Sequence, residues 1–485
     1  MAKKALVIFG AGSGAVKVVK TLRNIGVTID ALSDNDKNKW GSEIEGLPVI
    51  EPAKLKDIDC DILIASDYQE EIEKQLDEMG ILHRLVIKEH YIMEYLEKHL
   101  EEARECLERA DVSEKTDDIC NENNTGNSNG NRVLIDLFEC TEYGGIEIWS
   151  YMVGQGLSRN GYKVNYLGNC DEIRPAEDIL KQVVESDISY ECYWESVLNI
   201  AKIIIEALPC TLIVNRQGQT LIAASLVRRL YPDMLKVISI IHTDRIILHR
   251  RQGYMKDEVD YIAGVSRLIN DKLVSKFGVS AEKVRFKESP VDYPDFETRR
   301  YSEAQEEPIK IGYAARITKT QKRVDLLPLL VEYLENANVP FVMQVAGEGS
   351  YLPKLRIALE KQTQSGTVEI LGQISREQMK EFWKRQDVFI NMSEFEGTSL
   401  SMLEAMSYGV VPIVTEVSGV TDIIAGLENG FVCKQHDIKG MQEKILALHE
   451  DRGLLVRMGN AARETIRCKC NREDYFQHII KMIEG

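Results

Sequence analysis

Residues 388–406 read VFINMSEFEGTSLSMLEAM, and this stretch predicts a buried strand, a loop and a helix. The apolar run Val388–Ile390 is typical of a strand, and a helix is expected to begin near Ser399. Glu396 and Glu404, two acids with seven residues between them, would stand in the loop and inside the helix. Backbone N–H groups at a helix start favour a phosphate, and a carboxylate can hold a ribose diol. Taken alone, however, the two acids are more simply explained as solvated side chains.

Outward from this stretch, short apolar runs alternate with helical patterns, which predicts parallel α/β sheets with right-handed crossovers. The expected domains are residues 1–115, 132–300 and 301–485, and we expect the last helix to cross back to the preceding domain. The Asn- and Gly-rich segment NENNTGNSNGN, residues 121–131, predicts a flexible linker over residues 116–131. The predicted strands are Ala5–Phe9, Val27–Leu32, Ile62–Ala65, Val133–Phe138, Val164–Leu167, Leu212–Val214, Val237–Ile241, Ile309–Tyr313, Phe341–Val345, Val368–Leu371, Val388–Ile390 and Val411–Val414.

A three-and-four spacing of apolar residues over residues 88–115 predicts one amphipathic helix of about 25 residues. It would pack on its own domain, or act as a dimerising or spacer helix, so a homo-oligomer stays open.

The composition excludes several classes of protein. The chain has 485 residues, and 60 basic against 77 acidic side chains give a formal charge of −17. An acidic surface repels phosphates, which argues against a nucleic-acid partner. No apolar run approaches the roughly 18–20 residues of a spanning helix. The ten cysteines include no CxxC pair, so we expect no metal site and a cytoplasmic protein with reduced thiols.

The stretch that begins at Glu396, together with Gly409 and Pro412, resembles the E-x7-E motif of retaining glycosyltransferases of family 4. The resemblance covers roughly residues 132–485. It implies the α/β GT-B fold, in which two Rossmann-like domains face a cleft, and residues 1–115 would add a further N-terminal Rossmann-like domain.

The same resemblance implies the site residues. Arg316 and Lys322 match a pair of cations that clamp the donor diphosphate, although Arg323 stands where glycine is usual and Lys319 could take the role of Lys322. Two residues would act in catalysis, namely His242 and Glu396. The remaining donor contacts would be Gly144, Gly145, Gly397, Thr398, Ser399, Leu400 and Glu404.

The first strand is followed by a second motif, G-x-G-x-x-A, formed by Gly10, Gly12 and Ala15, with Asp34 at the end of the next strand. This pattern is typical of dinucleotide-binding turns. With its flanking residues it resembles the N-terminal domains of bacterial nucleotide-sugar acetyltransferases and dehydratases. The domain would bind a nucleotide sugar or NAD, or serve as a scaffold.

The resemblance to family 4 implies a retaining glycosyltransferase of bacterial cell-surface polysaccharide biosynthesis. It would transfer a sugar from a UDP- or GDP-sugar to a hydroxyl of a glycan or lipid-linked acceptor, without a metal or another cofactor. The alternatives are a nucleotide-sugar epimerase or hydrolase, an NAD-dependent oxidoreductase, and a non-catalytic sensor. Basic residues at 228–229, 249–251 and 256 predict either solvated loops or contact with anionic lipids at the inner face of the membrane.

Overall fold

The computed structural model describes residues 4–66, 68–110, 131–139, 144–169, 183–185, 192–215, 217–295, 299–302 and 304–485. The chain divides into two compact units. The first unit comprises Met1–Ile240, Arg245–Ile262 and Lys272–Lys283, and the second comprises Ile241–Asp244, Ala263–Asp271 and Val284–Gly485. The predicted linker at residues 116–131 lies outside the described residues, except for Asn131.

The N-terminal sheet has six strands in the order β3-β4-β2-β1-β5-β6. Its pairings are parallel except for that of β3 with β4. The strands are β1 (Ala5–Phe9), β2 (Ala31–Ser33), β3 (Glu43–Ile44), β4 (Leu47–Ile50), β5 (Cys60–Ile64) and β6 (Leu85–Val86). The helices of this part are α1 (Ser13–Asn24), α2 (Gln69–Glu78), α3 (Lys88–Lys98) and α4 (Leu100–Ala110).

The middle sheet has seven strands in the order β13-β12-β11-β10-β7-β8-β9. The strands are β7 (Arg132–Glu139), β8 (Lys163–Asn169), β9 (Val183–Glu185), β10 (Cys210–Val214), β11 (Leu235–Ile241), β12 (Tyr261–Gly264) and β13 (Val284–Arg285). The helices are α5 (Gly145–Arg159), α6 (Tyr193–Ala207), α7 (Gln219–Leu230), α8 (Ile246–Tyr254) and α9 (Arg267–Phe277).

The C-terminal sheet has six strands in the order β16-β15-β14-β17-β18-β19, with parallel pairings. The strands are β14 (Ile309–Ala314), β15 (Phe341–Ala346), β16 (Val368–Gly372), β17 (Val388–Asn391), β18 (Val411–Thr415) and β19 (Phe431–Cys433). The helices are α10 (Leu327–Asn336), α11 (Leu352–Ala358), α12 (Glu360–Ser365), α13 (Arg376–Arg385), α14 (Leu400–Ser407), α15 (Val420–Ile423), α16 (Ile438–Glu450), α17 (Arg452–Lys469) and α18 (Arg472–Glu484).

The central strands are apolar because helices cover both faces of a parallel sheet. Every residue of β10, β17 and β18 is buried, and the core of the second unit gathers around Ile311, Val345 and Ile413. Strand order reverses beside β1 in the N-terminal sheet and between β14 and β17 in the C-terminal sheet. Ligands of open α/β sheets bind at the carboxyl ends of strands that flank such a reversal.

One helix prediction is wrong. Residues 88–110 form two helices, α3 and α4, rather than one long helix, because the chain turns at His99. The backbone N–H of His99 reaches the carbonyls of Tyr95 and Leu96, and its ring nitrogen Nδ1 lies 2.8 Å from the Tyr95 carbonyl oxygen. The His99 ring also stacks on that of Tyr95 at 3.9 Å between centroids. These local contacts end α3.

The four arginines among the basic residues proposed as loop or lipid contacts form ion pairs inside the first unit. Arg228 pairs with Asp260 at 3.0 Å, and Arg229 pairs with Glu258 at 2.8 Å. The side chain of His249 is buried. The interpretation as solvated loop residues is therefore wrong for these positions. No described helix is long and apolar enough to cross a membrane.

Candidate functional site

The candidate site in the second unit lies where β14 and β17 end. Arg316 and Lys322 follow β14, and Glu396 follows β17. The two strands are parallel neighbours, paired at Ile311–Val388 and Gly312–Phe389. Because their carboxyl ends share one edge of the sheet, the two loops meet there.

An ion pair joins these loops. Lys322 Nζ lies 2.5 Å from Glu396 Oε1, and the two side chains are only 13% and 8% exposed. Ser393 Oγ donates a second hydrogen bond to the same carboxylate oxygen at 2.7 Å. Gln321 Nε2 also donates to the carbonyl oxygen of Phe395. The sequence-predicted cation and the first acid of the E-x7-E pattern are thus in direct contact.

The unusual Arg323 occupies a left-handed conformation, with φ 48° and ψ 38°. Such a backbone favours glycine, which explains why glycine is usual at this position of the motif. Here the arginine side chain makes compensating contacts, because its guanidinium donates to Glu394 at 2.9 Å and to Asp325 at 3.3 Å. Arg323 therefore keeps a left-handed turn directly after Lys322, which pairs with Glu396.

The loop that carries Arg316 packs against the turn after β15. Ile317 N donates to the carbonyl of Glu348 at 2.7 Å. A Cβ at Gly347 would meet the Ala315 carbonyl oxygen at 1.9 Å, so only glycine fits. Arg316 itself is exposed and donates to Gln321 Oε1 at 3.2 Å. Lys319 is also exposed, whereas Lys322 is the lysine that the structure brings to Glu396.

The segment with His242 runs beside the acid loop within the second unit. Asp244 N donates to the carbonyl of Glu396 at 3.0 Å. A Cβ at Gly397 would lie 2.1 Å from the His242 carbonyl oxygen, so a side chain there would separate the two segments. Thr398 Oγ1 donates to the carbonyl of Val265 at 2.7 Å, which fixes the same loop from its other side. The structure therefore brings His242 and Gly397 together.

Burial lowers the pKa of His242 to about 3. The imidazole is consequently neutral at physiological pH, and it can donate or accept a hydrogen bond but carries no positive charge. This state suits contact with a sugar hydroxyl better than contact with a phosphate.

Glu404 has different neighbours from those of Glu396. It lies on α14, whose N-cap is Ser399, and Ser399 Oγ accepts a hydrogen bond from Met402 N at 3.3 Å. Burial raises the pKa of Glu404 to about 7, while the charge of Arg376 opposes the shift. The carboxyl group is thus poised between its neutral and ionised forms near pH 7. Leu400 begins α14 and packs against a buried apolar cluster that includes Met406 and Val414.

The remaining predicted site residues belong to the first unit. Gly144 is the N-cap of α5 and Gly145 begins that helix, while residues 140–143 of the loop lie outside the described part of the chain. Gly10 and Gly12 follow β1, and Ala15 is buried on α1. Asp34 Oδ2 accepts a hydrogen bond from Ala11 N at 2.7 Å, so this acid fixes the glycine turn.

Sequence reasoning missed Ser393 and Gln321, which hold the acid loop, and the ion pair of Glu394 with His436 at 2.7 Å. The only available signal for Ser393 was its position directly after a buried strand. The other contacts join residues far apart in sequence. Among the described residues, no group of three or more His, Cys, Asp or Glu side chains could hold a metal ion.

Comparisons with known proteins agree with this geometry. Residues 295–465, which include Arg316, Lys322 and Glu396, match the family model described as glycosyl transferases group 1. Residues 1–87 match the model described as C2185-like, N-terminal. The expected likeness of that domain to acetyltransferase and dehydratase domains is not confirmed.

Two curated relatives are glycosyltransferases. The poly(ribitol-phosphate) alpha-N-acetylglucosaminyltransferase of Staphylococcus aureus (strain COL) is 28% identical over 178 residues, which are 36% of this chain and 35% of the relative. The amylovoran biosynthesis glycosyltransferase AmsK of Erwinia amylovora is 22% identical over 226 residues, or 45% of this chain and 55% of the relative. The chain therefore spans about a third to about a half of the length of these relatives.

A solved structure shows the same fold. Anabaena Alr3699/HepE in complex with UDP and glucose superposes with a TM-score of 0.60 at 12% identity, covering 73% of this chain and 100% of that one. The predicted fold class is confirmed: the chain has the α/β GT-B fold with a further parallel sheet at its N-terminus.

Proposed function

We propose that this protein is a retaining glycosyltransferase that moves a hexosyl or N-acetylhexosaminyl group from a UDP- or GDP-sugar to a hydroxyl of a glycan or lipid-linked acceptor. The observation that carries the proposal is the Lys322–Glu396 pair at the strand reversal, inside the segment that matches glycosyl transferases group 1. Two relatives that are named as glycosyltransferases, and a solved neighbour in complex with UDP and glucose, support a nucleotide sugar as the donor.

Arg316 and Lys322 would supply the charge that a leaving nucleoside diphosphate requires. As the bond between sugar C1 and the diphosphate oxygen breaks, negative charge accumulates on the leaving group, and cations nearby stabilise it. Glu396 holds Lys322 in place from the neighbouring strand. These two cations would act where other enzymes use a metal ion.

The acceptor would attack C1 on the face that the diphosphate leaves. Its oxygen forms the new bond to C1, and its proton passes to the departing diphosphate, so no protein nucleophile is needed. The neutral His242 would donate a hydrogen bond to a sugar hydroxyl beside this centre. Glu404 would hold the ribose diol of the donor. The protein would act in the cytoplasm, where nucleotide sugars are available as donors.

Donor screening followed by product analysis tests the proposal. Thermal unfolding of the full chain with a panel of nucleotide sugars identifies the donor, since a ligand at 100 times its Kd stabilises by about 2.7 kcal/mol. NMR of the product should then show the anomeric configuration of the donor, with turnover unaffected by EDTA. An inverted product or a strict metal requirement would contradict the mechanism. Release of free sugar without use of any acceptor would indicate a hydrolase instead.

A further inference from the structure

A cavity lies entirely within the first unit, at the glycine turn of Gly10 and Gly12 and apart from Lys322 and Glu396. Its volume is about 850 Å³, within the range of about 300–1,000 Å³ found for small-molecule sites. One wall is formed by the glycine turn after β1 and by α2, and the opposite wall by α8 of the middle part of the chain. Its described lining residues therefore come from both the N-terminal and the middle parts of the chain.

The glycine turn leaves space on the cavity side. A Cβ at Gly10 would meet the Ala65 carbonyl oxygen at 2.6 Å, so packing alone explains that glycine. A Cβ at Gly12 would meet nothing within 4 Å, and the φ angle of −114° suits any residue. Packing does not explain the missing side chain of Gly12, whereas close approach of a ligand to the start of α1 does.

The walls carry more cations than carboxylates. Four acidic residues line the cavity, namely Asp34, Glu71, Glu73 and Glu89. Six basic residues line it as well: Lys17, Lys39, Lys88, Arg245, Arg250 and Arg251. Several of these charges already form pairs, such as Arg250 with Glu73 at 2.8 Å and Arg251 with Glu89 at 2.6 Å. Among the described residues that line the cavity, this excess of two positive charges favours an anion.

Lys88 carries the least compensated of these charges. Its side chain is 15% exposed, and its Nζ is 4.0 Å from Glu89 Oε1. Within the described part of the chain, Lys88 Nζ forms no hydrogen bond. It lies 5.6 Å from the centre of the Tyr193 ring. Burial lowers the pKa of this ammonium group to about 8, and an incoming anion would stabilise its charged form.

An aromatic surface completes the cavity. Tyr68 lines it and is 62% exposed, which is unusual for a large apolar side chain. A planar base can stack on such a ring. Anion-binding groups and an exposed aromatic ring thus occur in one enclosure.

We propose that this cavity binds a pyrophosphate-bridged nucleotide, with its phosphates between the Gly12 turn and Lys88 and its base at Tyr68. A nucleotide sugar and a dinucleotide share this chemistry. The site is distinct from the transferase site, because each of its residues lies in the first unit whereas Lys322 and Glu396 lie in the second. The proposal does not depend on the proposed transferase function.

Calorimetric titration of the full chain with UDP-N-acetylglucosamine and, separately, with NAD⁺ tests this proposal. Besides any binding at the transferase site, we expect a binding event that is lost in Gly12→Val and weakened about tenfold or more in Lys88→Met, which removes a charged hydrogen-bond donor. The event should persist in Lys322→Met, which alters only the other site. If UDP-N-acetylglucosamine gives this event, the ligand is a nucleotide sugar; if NAD⁺ gives it, the ligand is a dinucleotide.

The matched control is Arg229→Met, since Arg229 is an ion-paired cation of the same unit that does not line this cavity. It should leave the event unchanged. Circular dichroism of Gly12→Val should match that of the wild type, because its added side chain meets open space. The proposal is wrong if neither probe binds the wild type. It is also wrong if Gly12→Val and Lys88→Met bind the probe as tightly as the wild type does.

Discussion

Lys322 Nζ and Glu396 Oε1, 2.5 Å apart, connect the loops that follow two adjacent parallel strands, β14 and β17. The pair lies at the reversal of strand order, where an open α/β sheet offers its binding crevice. The cation proposed to act on the leaving group is thus held by an acid from the neighbouring strand. Three of the predictions below depend on this loop pair or on the helix that follows it.

Replacing Lys322 with methionine should reduce turnover by about 10²–10³, because one charge that stabilises the leaving diphosphate is removed. Steady-state kinetics with the identified donor measure the effect. Lys322→Arg should recover part of the activity. Lys439→Met, at an exposed position of α16, serves as the control and should be silent. If Lys319→Met is damaging while Lys322→Met is silent, the proposed alignment of the motif is incorrect.

The Lys322–Glu396 pair should also contribute to stability. Glu396→Leu leaves a buried ammonium without its partner and should lower the free energy of unfolding by about 3–5 kcal/mol. The double variant Lys322→Met/Glu396→Leu should be more stable than Glu396→Leu, since no unpaired charge remains. Urea unfolding of all four proteins completes the cycle. Strictly additive effects would show that the two side chains are not coupled.

Glu404→Gln should stabilise the protein at pH 8 while weakening donor binding. The pKa of Glu404 is raised to about 7 in the folded protein, above its ordinary value of 4.5. The folded state therefore holds a proton that the unfolded chain has released, and stability from this group falls as pH rises from about 4.5 to 7. Glutamine removes this penalty.

The melting temperature of Glu404→Gln should accordingly exceed that of the wild type at pH 8, and the difference should shrink toward pH 4.5. The donor Kd should increase because the ribose diol loses a charged acceptor, whose hydrogen bond contributes about 1.5–3 kcal/mol. Identical donor binding by a folded Glu404→Gln protein would remove this residue from the site.

Removal of residues 1–130 should lower the stability of the remaining chain. Arg251 pairs with the buried Glu89 at 2.6 Å, and Arg250 pairs with Glu73. The shortened chain loses both ion pairs and exposes Arg250 and Arg251 to water. Differential scanning calorimetry should therefore show a lower unfolding temperature. Arg251→Met should destabilise the full chain more than the shortened one, because only the full chain keeps the buried Glu89 without its partner, at a cost of about 3–5 kcal/mol. Two independent transitions in the full chain, with one unchanged after shortening, would contradict this coupling.

The sequence predicts the strands of the C-terminal sheet well. The apolar run Val388–Ile390 extends by a single residue in the observed β17, Val388–Asn391. Strands that are buried on both faces show such continuous apolar runs, so a short stretch of sequence is enough to predict them. The strand predicted at Val27–Leu32 is observed at Ala31–Ser33. The residues directly after the turn at Gly26 stay outside the sheet, although Ile29 among them is buried.

Contacts between distant residues could not be predicted in the same way. Arg250 and Glu73 are separated by 177 positions, and nothing in either local sequence indicates the pairing. The break at His99 also escaped prediction, since the apolar spacing continues through it while a ring-to-carbonyl contact ends the helix. Arg316, Lys322 and Glu396 were identifiable because motif order places them after neighbouring strands, whereas the ion pair itself required the fold.

Each of the three sheets is assembled from one continuous stretch of chain, which ends at Val86, Arg285 and Cys433 in turn. Among the described strands, all strands of one sheet precede the first strand of the next sheet in the chain. Parallel strands pair over long sequence separations and form slowly, so incomplete sheets expose apolar edges. On the ribosome, the protein can therefore close each sheet before the strands of the following one emerge, which limits mispairing among three sheets of similar composition.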